Sequence, residues 1–211
     1  MTAPTEEKGT RDKETTKLRL LDAVGALLAR DGFGALGVNA VAREAGVDKV
    51  LIYRYFGGMV DLLQAFGQSG DFWPSIGEVI GDDPSEIMGL PLPERWATGL
   101  SRYAEALRRR PVTREILAWE QIQQNELTQI LQQTREQWFE ELLTHFPDDP
   151  AATDADLVTT ILLIVGAIHY FVVRSRLQAD FSGIVINTEA GWKDIDQVIL
   201  TICQRTLQPT G

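Results

Sequence analysis

Apolar side chains recur along this chain at helical intervals, and the first regular run falls between residues 15 and 32. Its apolar positions are Leu18, Leu21, Val24 and Leu28. Side chains spaced three or four residues apart lie on one face of an α-helix. The pattern predicts a helix that begins at Thr15 or Thr16 and ends near Asp31 and Gly32.

Two shorter apolar stripes follow, separated by a glycine. The first of them consists of Val38, Val41, Ala42 and Ala45. Gly46 can adopt the left-handed conformation that ends a helix, and Asp48 is a favourable N-cap for the next helix. In that next helix Leu51 or Ile52 and Phe56 are expected to face the core. Two short helices joined by a tight turn that contains glycine are typical of the helix-turn-helix, whose second helix enters the major groove of DNA.

The outer side of this predicted unit carries the side chains expected to contact DNA. The polar and cationic ones are candidates for hydrogen bonds to base edges or phosphates, the aliphatic ones for thymine methyl groups, and the tyrosines for phosphates. The candidates are Asn39, Lys49, Val50, Leu51, Tyr53, Arg54 and Tyr55. We therefore expect double-stranded DNA to be a partner.

The middle of the chain also has helical patterns. A fourth helix is predicted from Gly57-Gly58, with a bend or stop at Trp73-Pro74. The segment from Gly81 to Pro93 is rich in turn formers and is expected to be a loop that includes at most one short helix. Further helices are predicted from Pro93 to Arg110, around Ile116 to Trp119, and from Leu127 to Leu143.

The last two predicted helices are more apolar than the others. The first, from Asp154 to Arg176, is apolar around nearly its whole circumference, so it needs partners on every side. The second follows a loop at Phe181 to Glu189. One helical domain has limited capacity to surround both, so we expect them to pair with their copies as the four-helix interface of a homodimer. The residues expected in that interface are Ile161, Val165, Val172, Trp192, Ile195 and Ile199.

The distribution of charge bears on whether an acidic chain can bind nucleic acid. The 211 residues carry a formal net charge of −10. Nine of the 20 basic and nine of the 30 acidic residues lie in residues 1–66, so this part is neutral and the remainder carries the whole net charge. A neutral N-terminal part before an acidic body is compatible with DNA binding if its basic groups face the groove.

Two clusters of basic residues leave alternatives open. Arg11, Lys13, Lys17 and Arg19 either touch phosphate near the start of the first helix or belong to a solvated tail. Arg108, Arg109 and Arg110 form either a nucleic-acid patch or a solvated helix end whose cations complement the helix dipole. For the second cluster we favour the helix end.

Patterns for catalysis and metal binding are absent from the sequence. The two histidines, His145 and His169, lack metal-ligand spacing, and no nucleophile elbow, phosphate loop or dinucleotide-binding glycine motif occurs. We therefore expect no enzymatic activity and no cofactor. The single cysteine, Cys203, is expected in the core. No signal peptide is evident and the apolar run from Leu157 to Val173 is at or below the length of a membrane span, so a cytoplasmic protein without membrane association is expected.

Aromatic side chains and a few polar ones are predicted on the helices behind the DNA-binding unit. Ligand pockets have this composition. The candidates for contact with a ligand are Trp73, Trp96, Tyr103, Trp119, Gln123, Phe139 and His169. For each residue taken singly, the competing interpretation is a place in the hydrophobic core, and we favour it. His169 in particular is expected to be a buried histidine with its hydrogen bonds satisfied.

The segment AREAGVDKVLIYRYF, followed by GGMVDLL, resembles the N-terminal signature of the TetR family of transcriptional regulators. The resemblance covers about the first quarter of the chain. It implies a dimeric regulator, most often a repressor, that leaves a near-palindromic operator when a small hydrophobic or amphipathic effector binds. Three residues depart from the family pattern: Gly37 stands where Thr or Ser is usual, Asp48 where Ser is usual, and Met59 where Lys is usual. Losing one cation and adding one anion should weaken sequence-independent attraction to DNA.

Together these patterns predict an all-α protein. We expect a disordered arm at residues 1–14, a three-helix DNA-binding domain with a helix-turn-helix at 15–57, and a helical-bundle domain for effector binding and dimerisation at 58–211. The competing interpretation is a helical ligand-binding or adaptor protein whose helix-turn-helix no longer binds DNA.

Overall fold

Helices form nearly all of the regular structure. The computed structural model describes residues 4–69, 72–145 and 155–207, with side chains described from residue 12 onward and, in the last segment, from residue 158. The N-terminal helices are α1 (Pro4–Asp31), α2 (Val38–Ala45), α3 (Val50–Phe56) and α4 (Met59–Gly67), with a 3₁₀ turn at Phe33–Ala35. The middle helices are α5 (Ile76–Ile80), α6 (Pro84–Met88), α7 (Leu92–Arg108), α8 (Pro111–Glu120) and α9 (Glu126–Thr144). The last elements are α10 (Ala155–Arg174), a hairpin of β1 (Asp180–Phe181) and β2 (Ile184–Val185), and α11 (Glu189–Thr206). The predicted all-α class is confirmed.

The chain divides into two compact units, which differ from the domains expected from the sequence. The first unit comprises Met1–Trp73 and Ala118–Arg135, and the second comprises Pro74–Leu117 and Glu136–Gly211. The expected boundary lay between residues 57 and 58. Instead α4 packs with the N-terminal helices, and a segment from the middle of the chain joins them.

The first helix is longer than the apolar pattern predicted. The expectation of a disordered arm at 1–14 is corrected for the residues that the structure describes, because their backbone is helical from Pro4 onward. Proline suits the first position of a helix, and the Glu, Lys and Arg residues that follow are good helix formers. An apolar stripe marks only the part of a helix that packs, and it therefore missed the polar start.

The buried face of α1 is also rotated from the predicted one. Leu20, Val24 and Leu28 are fully buried, whereas Leu18 is 59% exposed. Both sets have helical spacing, so periodicity alone could not choose between them. The buried set packs against α2 and α4, with Phe33, Val41, Ile52, Leu62 and Leu63 completing the core of the first unit.

In the second unit, α7 is the central helix. It packs against α5, α6, α10 and α11. Its buried side chains are Trp96, Ala97, Leu100, Tyr103, Ala104, Ala106 and Leu107. A helix buried on most of its circumference requires such neighbours, and the predicted helix from Pro93 to Arg110 is confirmed with nearly the same bounds.

The middle segment of the first unit is held at two glycines. The ring of Trp119 lies so close to Gly32 that a Cβ there would come within 2.8 Å of it. Leu131 and Thr134 pack in the same way on Gly67, with atoms 3.0 and 3.1 Å from the position of a Cβ. Glycine at both places therefore allows residues 118–135 to approach α1 and α4 closely.

Replacing Gly32 by alanine is expected to destabilise the protein. Gly32 has φ 74° and ψ −175°, a region that is essentially restricted to glycine, and strain there costs about 1–3 kcal/mol before any clash with Trp119. Urea denaturation followed by circular dichroism measures the loss. Gly34→Ala is the matched control, because a Cβ at Gly34 meets nothing within 4 Å. Equal midpoints for the two variants would contradict the close approach of Trp119.

Candidate DNA-binding surface and ligand-binding residues

The corner between α2 and α3 has the geometry that its sequence predicted. Gly46 is left-handed, with φ 63° and ψ 40°. Its amide donates to the carbonyl of Arg43, and the amide of Val47 donates to that of Ala42 at 3.0 Å. These bonds satisfy the carbonyls at the end of α2 and turn the chain towards α3.

Asp48 caps the next helix. Its carboxylate accepts a hydrogen bond from the amide of Val50 at 2.8 Å, and its carbonyl accepts one from Leu51. The carboxylate therefore satisfies a backbone donor at the positive end of α3. The departure from the Ser of the family pattern preserves the cap and adds a negative charge.

Arg19 has a structural role that the sequence did not indicate. Its guanidinium donates to the carbonyl of Ala45 at 2.6 Å, and it lies 3.1 Å from the position of a Cβ on Gly46. A cation at the end of a helix complements the dipole and satisfies a free carbonyl. Of the two interpretations of this basic cluster, neither a solvated tail nor a phosphate contact describes Arg19, because α1 uses it to hold the corner.

The outer row of α3 is accessible. Val50 is 60% exposed and Tyr53 is 55% exposed, whereas Ile52 is fully buried and anchors the helix. The remaining candidates divide into exposed side chains, which are Asn39, Lys49 and Arg54, and half-buried ones, which are Leu51 and Tyr55. Six of the seven candidates lie on α3 or immediately before it, and Asn39 lies in the first turn of α2. The structure therefore places all seven at the surface of one unit.

Two cations lie near the ring of Tyr55. The ammonium group of Lys13 is 5.8 Å from the ring centroid and the guanidinium of Arg54 is 5.9 Å from it. Such contacts hold flexible cations at a defined place on the surface. The first unit thus presents Lys13 of α1 as a basic group in addition to Lys49 and Arg54 of the helix-turn-helix.

The candidates for ligand contact do not fall in one unit. Trp73, Trp119 and Gln123 belong to the first unit, and Trp96, Tyr103, Phe139 and His169 belong to the second. Trp73, Trp96 and Tyr103 are each only 5% exposed, as expected for core residues. The other four are half-buried.

Within the second unit, Tyr103 links α7 to α10. Its hydroxyl lies 2.6 Å from Nε2 of His169, within hydrogen-bond distance. The Tyr103 ring also stacks on Trp138 of α9, with centroids 5.8 Å apart. These aromatic groups combine apolar surface with polar atoms, which suits an amphipathic ligand.

Within the first unit, Trp73 lies against a mostly buried ion pair that the sequence did not reveal. Arg135 donates to Glu120 at 2.9 Å and lies over the ring of Trp73, 5.3 Å from its centroid. Burial raises the pKa of Glu120 above its usual value, although the attraction of Arg135 opposes the change. The buried Oε1 of Gln123 has no hydrogen-bond partner among the residues described. The partners are 15 residues apart on different helices, so no local spacing signals the pair.

The predicted dimer-interface residues require correction. Ile161, Val172, Trp192, Ile195 and Ile199 are each at most 8% exposed within a single chain, and Val165 is half-buried. The five buried residues belong to the core of their own unit and are unavailable to a partner, whereas Val165 keeps part of its surface exposed. The apolar side chains that α10 and α11 do expose are Leu162, Leu163, Tyr170, Val198 and Ile202.

The arginines that end α7 each have a carboxylate partner. Arg108 pairs with Glu189, Arg109 with Glu105 and Arg110 with Glu78. Paired cations in an acidic unit make a poor surface for nucleic acid. The structure therefore supports neither a nucleic-acid patch nor, for these side chains, a purely solvated helix end.

Cys203 is fully buried, as predicted. Burial raises its thiol pKa to about 11, so it stays protonated. Within the described ranges, no cluster of His, Cys, Asp or Glu is arranged to hold a metal ion. In the same ranges no helix is both long and apolar enough to cross a membrane.

The first unit contains a helix-turn-helix on a small helical core, and this part of the chain matches a known family profile. Residues 20–66 match the sequence profile described as bacterial regulatory proteins, tetR family. The N-terminal part of the chain is therefore similar to the TetR family of transcriptional regulators.

One relative is similar over about half of the chain. The HTH-type transcriptional repressor SCO4008 of Streptomyces coelicolor is 31% identical over 110 residues, which is 52% of this chain and 52% of that protein. The match thus spans about half the length of this curated relative.

Solved structures share the fold over nearly the whole chain. A TetR-like transcriptional regulator from Rhodococcus sp. RHA1 has a TM-score of 0.60 and 19% identity, covering 91% of this chain and 95% of its own. The regulator FadR of Bacillus subtilis in complex with stearoyl-CoA has a TM-score of 0.59 and 17% identity, covering 88% and 96%. At these identities the similarity concerns the fold.

Removing the partner of Glu120 is expected to destabilise the protein in a pH-dependent way. Arg135→Met leaves a buried carboxylate unpaired, which costs about 3–5 kcal/mol when that carboxylate is ionised. A carboxyl whose folded-state pKa is raised stabilises the fold below its unfolded-state pKa, and this contribution is lost as the pH rises through the folded-state pKa. The loss of unfolding free energy should therefore grow as the pH is raised from the ordinary titration range of a glutamate to neutral and above.

Urea denaturation at several pH values measures this effect. The double variant Glu120→Gln with Arg135→Met is the control, because it has no carboxyl to ionise. It should be more stable than the single variant at pH 8. If Arg135→Met were as stable as the double variant at every pH tested, Glu120 would not carry an unpaired charge in Arg135→Met.

Proposed function

We propose that this protein is a homodimeric transcriptional repressor that binds a near-palindromic operator through α3 and leaves it when a small effector binds. The observation that carries the proposal is the exposed row of α3, above all Val50 and Tyr53, on a helix anchored by buried Ile52. A short helix with one face anchored in the core and the other face exposed can enter the major groove of DNA. The protein would act in the cytoplasm, where the chromosome of a bacterium lies.

The charges near α3 support contact with DNA. Lys49 and Arg54 are exposed, and Lys13 lies beside Tyr55 on the same unit. The carboxylate of Asp48 accepts a hydrogen bond from the Val50 amide at the start of α3 and also remains exposed to solvent. Phosphate contacts by such cations position the helix, and contacts with base edges specify the sequence.

The exposed apolar face of α10 and α11 supports a dimer. On α10 the exposed positions 159, 162, 163, 166, 167 and 170 form one stripe, with Gly166 and Ala167 at its centre. Val198 and Ile202 lie one turn apart on α11, which packs beside α10. Small residues at the centre of a stripe let another helix approach closely. A second copy of this chain, related by a two-fold axis, would cover the face and place the two α3 helices roughly 34–36 Å apart on DNA.

A hydrophobic or amphipathic molecule is the proposed effector. The aromatic groups around Tyr103 and His169 combine apolar surface with polar atoms, and FadR, which shares the fold, was solved with stearoyl-CoA. An effector that couples to DNA binding by about 1–3 kcal/mol changes operator affinity roughly 5- to 150-fold. Mass spectrometry of protein purified under native conditions tests for a retained ligand, and adding the extracted compound to ligand-free protein should lower its affinity for operator DNA.

Lys49→Ala and Tyr53→Ala are expected to lose operator binding while the dimer stays intact. Each removes an exposed contact to DNA without touching the core, and loss of one phosphate contact lowers the slope of log affinity against log salt by about 1. Electrophoretic shifts with the DNA upstream of its own gene, repeated over a salt series, measure both. Lys193→Ala, which removes an exposed lysine of α11, is the control. Unchanged affinity in both α3 variants would refute the role of α3.

Leu163→Arg is expected to convert the dimer to monomers. Leu163 is 71% exposed within the apolar stripe, so a charge there would be buried without a partner in the dimer. Analytical ultracentrifugation measures the mass. Leu177→Arg is the matched control, because Leu177 is 78% exposed but lies beyond the end of α10. A Leu163→Arg dimer as stable as the wild type would exclude this face as the interface.

One set of observations favours a second candidate function, a helical ligand-binding protein that no longer binds DNA. Gly37 precedes α2 without a side-chain cap, and Met59 replaces the cation of the family pattern at the start of α4. Both changes weaken binding to a groove lined with phosphates. The same salt series separates the candidates, because a degenerate unit would show no shift even at low ionic strength.

A further inference from the structure

Three arginines converge on a cavity of the second unit that contains none of the candidates for effector contact. The cavity has a volume of about 250 Å³ and lies where the end of α7, the start of α8 and the β2–α11 connection meet. Arg108 and Arg109 come from the last turn of α7, and Arg114 comes from the first turn of α8. Asn187 and Trp192 also line the cavity. Pro111 restarts the helix and thereby brings the third guanidinium to the other two.

The charges of this cavity are incompletely balanced. Arg108 pairs with Glu189, and Arg109 pairs with Glu105. The Nε of Arg114 is buried and has no hydrogen-bond partner within the described part of the chain. Counting the five ionisable side chains of the lining, three positive charges face two negative ones. A positive cavity on a unit that carries the acidic surplus of the chain is therefore a place where an anion gains more than elsewhere on that unit.

The two carboxylates are easily displaced. The side chain of Glu189 is 79% exposed and that of Glu105 is 49% exposed, whereas Arg108 is 18% exposed. Exposed ion pairs contribute about 0–1 kcal/mol, so an incoming anion loses little by replacing a carboxylate. Arg108 is held in place independently, because its guanidinium lies 4.9 Å from the centroid of buried Trp192. The cavity thus has a fixed cation and a mobile counter-ion.

A groove continues from the cavity along α7 and α11. It has a volume of about 650 Å³ and shares Glu105, Arg108, Glu189 and Trp192 with the cavity. Its wall farther along includes Ala97, Thr98, Ser101 and Leu200. The shared ion pair of Arg108 and Glu189 stands between the two spaces. Movement of Glu189 would therefore connect the arginine cavity to a larger groove, whose walls combine small and apolar side chains with charged ones such as Arg102 and Lys193.

We propose that this cavity binds the phosphate group of a phosphorylated small molecule, whose remainder lies in the groove between α7 and α11. Phosphate carries up to two negative charges and accepts bidentate hydrogen bonds from guanidinium groups, so it displaces single carboxylates. Arg108, Arg109 and Arg114 hold the phosphate, Asn187 offers an amide, and Glu189 moves out. The site is separate from the DNA contacts, and its existence does not depend on the proposed function.

Calorimetric titration of inorganic pyrophosphate into the full-length protein at low ionic strength tests the proposal. One pyrophosphate should bind per chain. Arg114→Met keeps the stem of the side chain and removes its charge, and it should weaken binding roughly tenfold or more, as expected for a hydrogen bond to a charged group. Arg205→Met is the matched control, because Arg205 lies near the opposite end of α11, about 24 Å from Glu189.

Glu189→Gln separates a phosphate-binding site from an ion pair that only stabilises the fold, because the two give opposite results. It removes the competing carboxylate from Arg108, so pyrophosphate should bind several-fold more tightly than to the wild type. Arg109→Met, at a side chain 68% exposed, replaces Arg114→Met if the latter fails to fold. Absence of binding to the wild type, equal losses in Arg114→Met and Arg205→Met, or weaker binding in Glu189→Gln would overturn the proposal. Malonate binding as tightly as pyrophosphate would overturn the assignment to phosphate.

Discussion

The corner at Gly46 is the constraint on which the N-terminal unit depends. A left-handed glycine ends α2, the Asp48 carboxylate starts α3, and Arg19 of α1 donates to the carbonyl of Ala45. Each of these interactions satisfies a backbone group that a helix end leaves free. Together with buried Ile52, these interactions fix the buried face and the first turn of α3. The side chains on its outer face are therefore available to contact another molecule.

The second unit is organised by α7, and its polar surface is arranged by ion pairs. Arg108, Arg109 and Arg110 are consecutive, yet they reach carboxylates on three different elements: the start of α11, α7 itself and α5. Consecutive helical side chains point in different directions, so a run of like charges is divided among different neighbours. Arg114 arrives from the next helix, and the convergence of arginines therefore arises from the fold.

Much of the candidate site near DNA could be predicted because it is local. The Ala-Gly-Val corner, the cap at Asp48 and the outer row of α3 depend on residues within about two helical turns of each other, and both the cap and the exposure agree with the structure. The interface prediction failed for the opposite reason. Apolar spacing shows that Ile161 or Ile199 is buried, but it does not say whether the burying surface belongs to the same chain or to another one.

From sequence alone, the all-α class, the glycine corner and the order of the helices were determined, because short-range sterics, capping and apolar periodicity set them. Only the tertiary structure decided which face of α1 is buried, that residues 118–135 pack with the N-terminal helices through Gly32 and Gly67, and that Glu120 meets Arg135. These contacts join residues far apart in the chain. Their partners are chosen by the packing of whole helices, which no local pattern encodes.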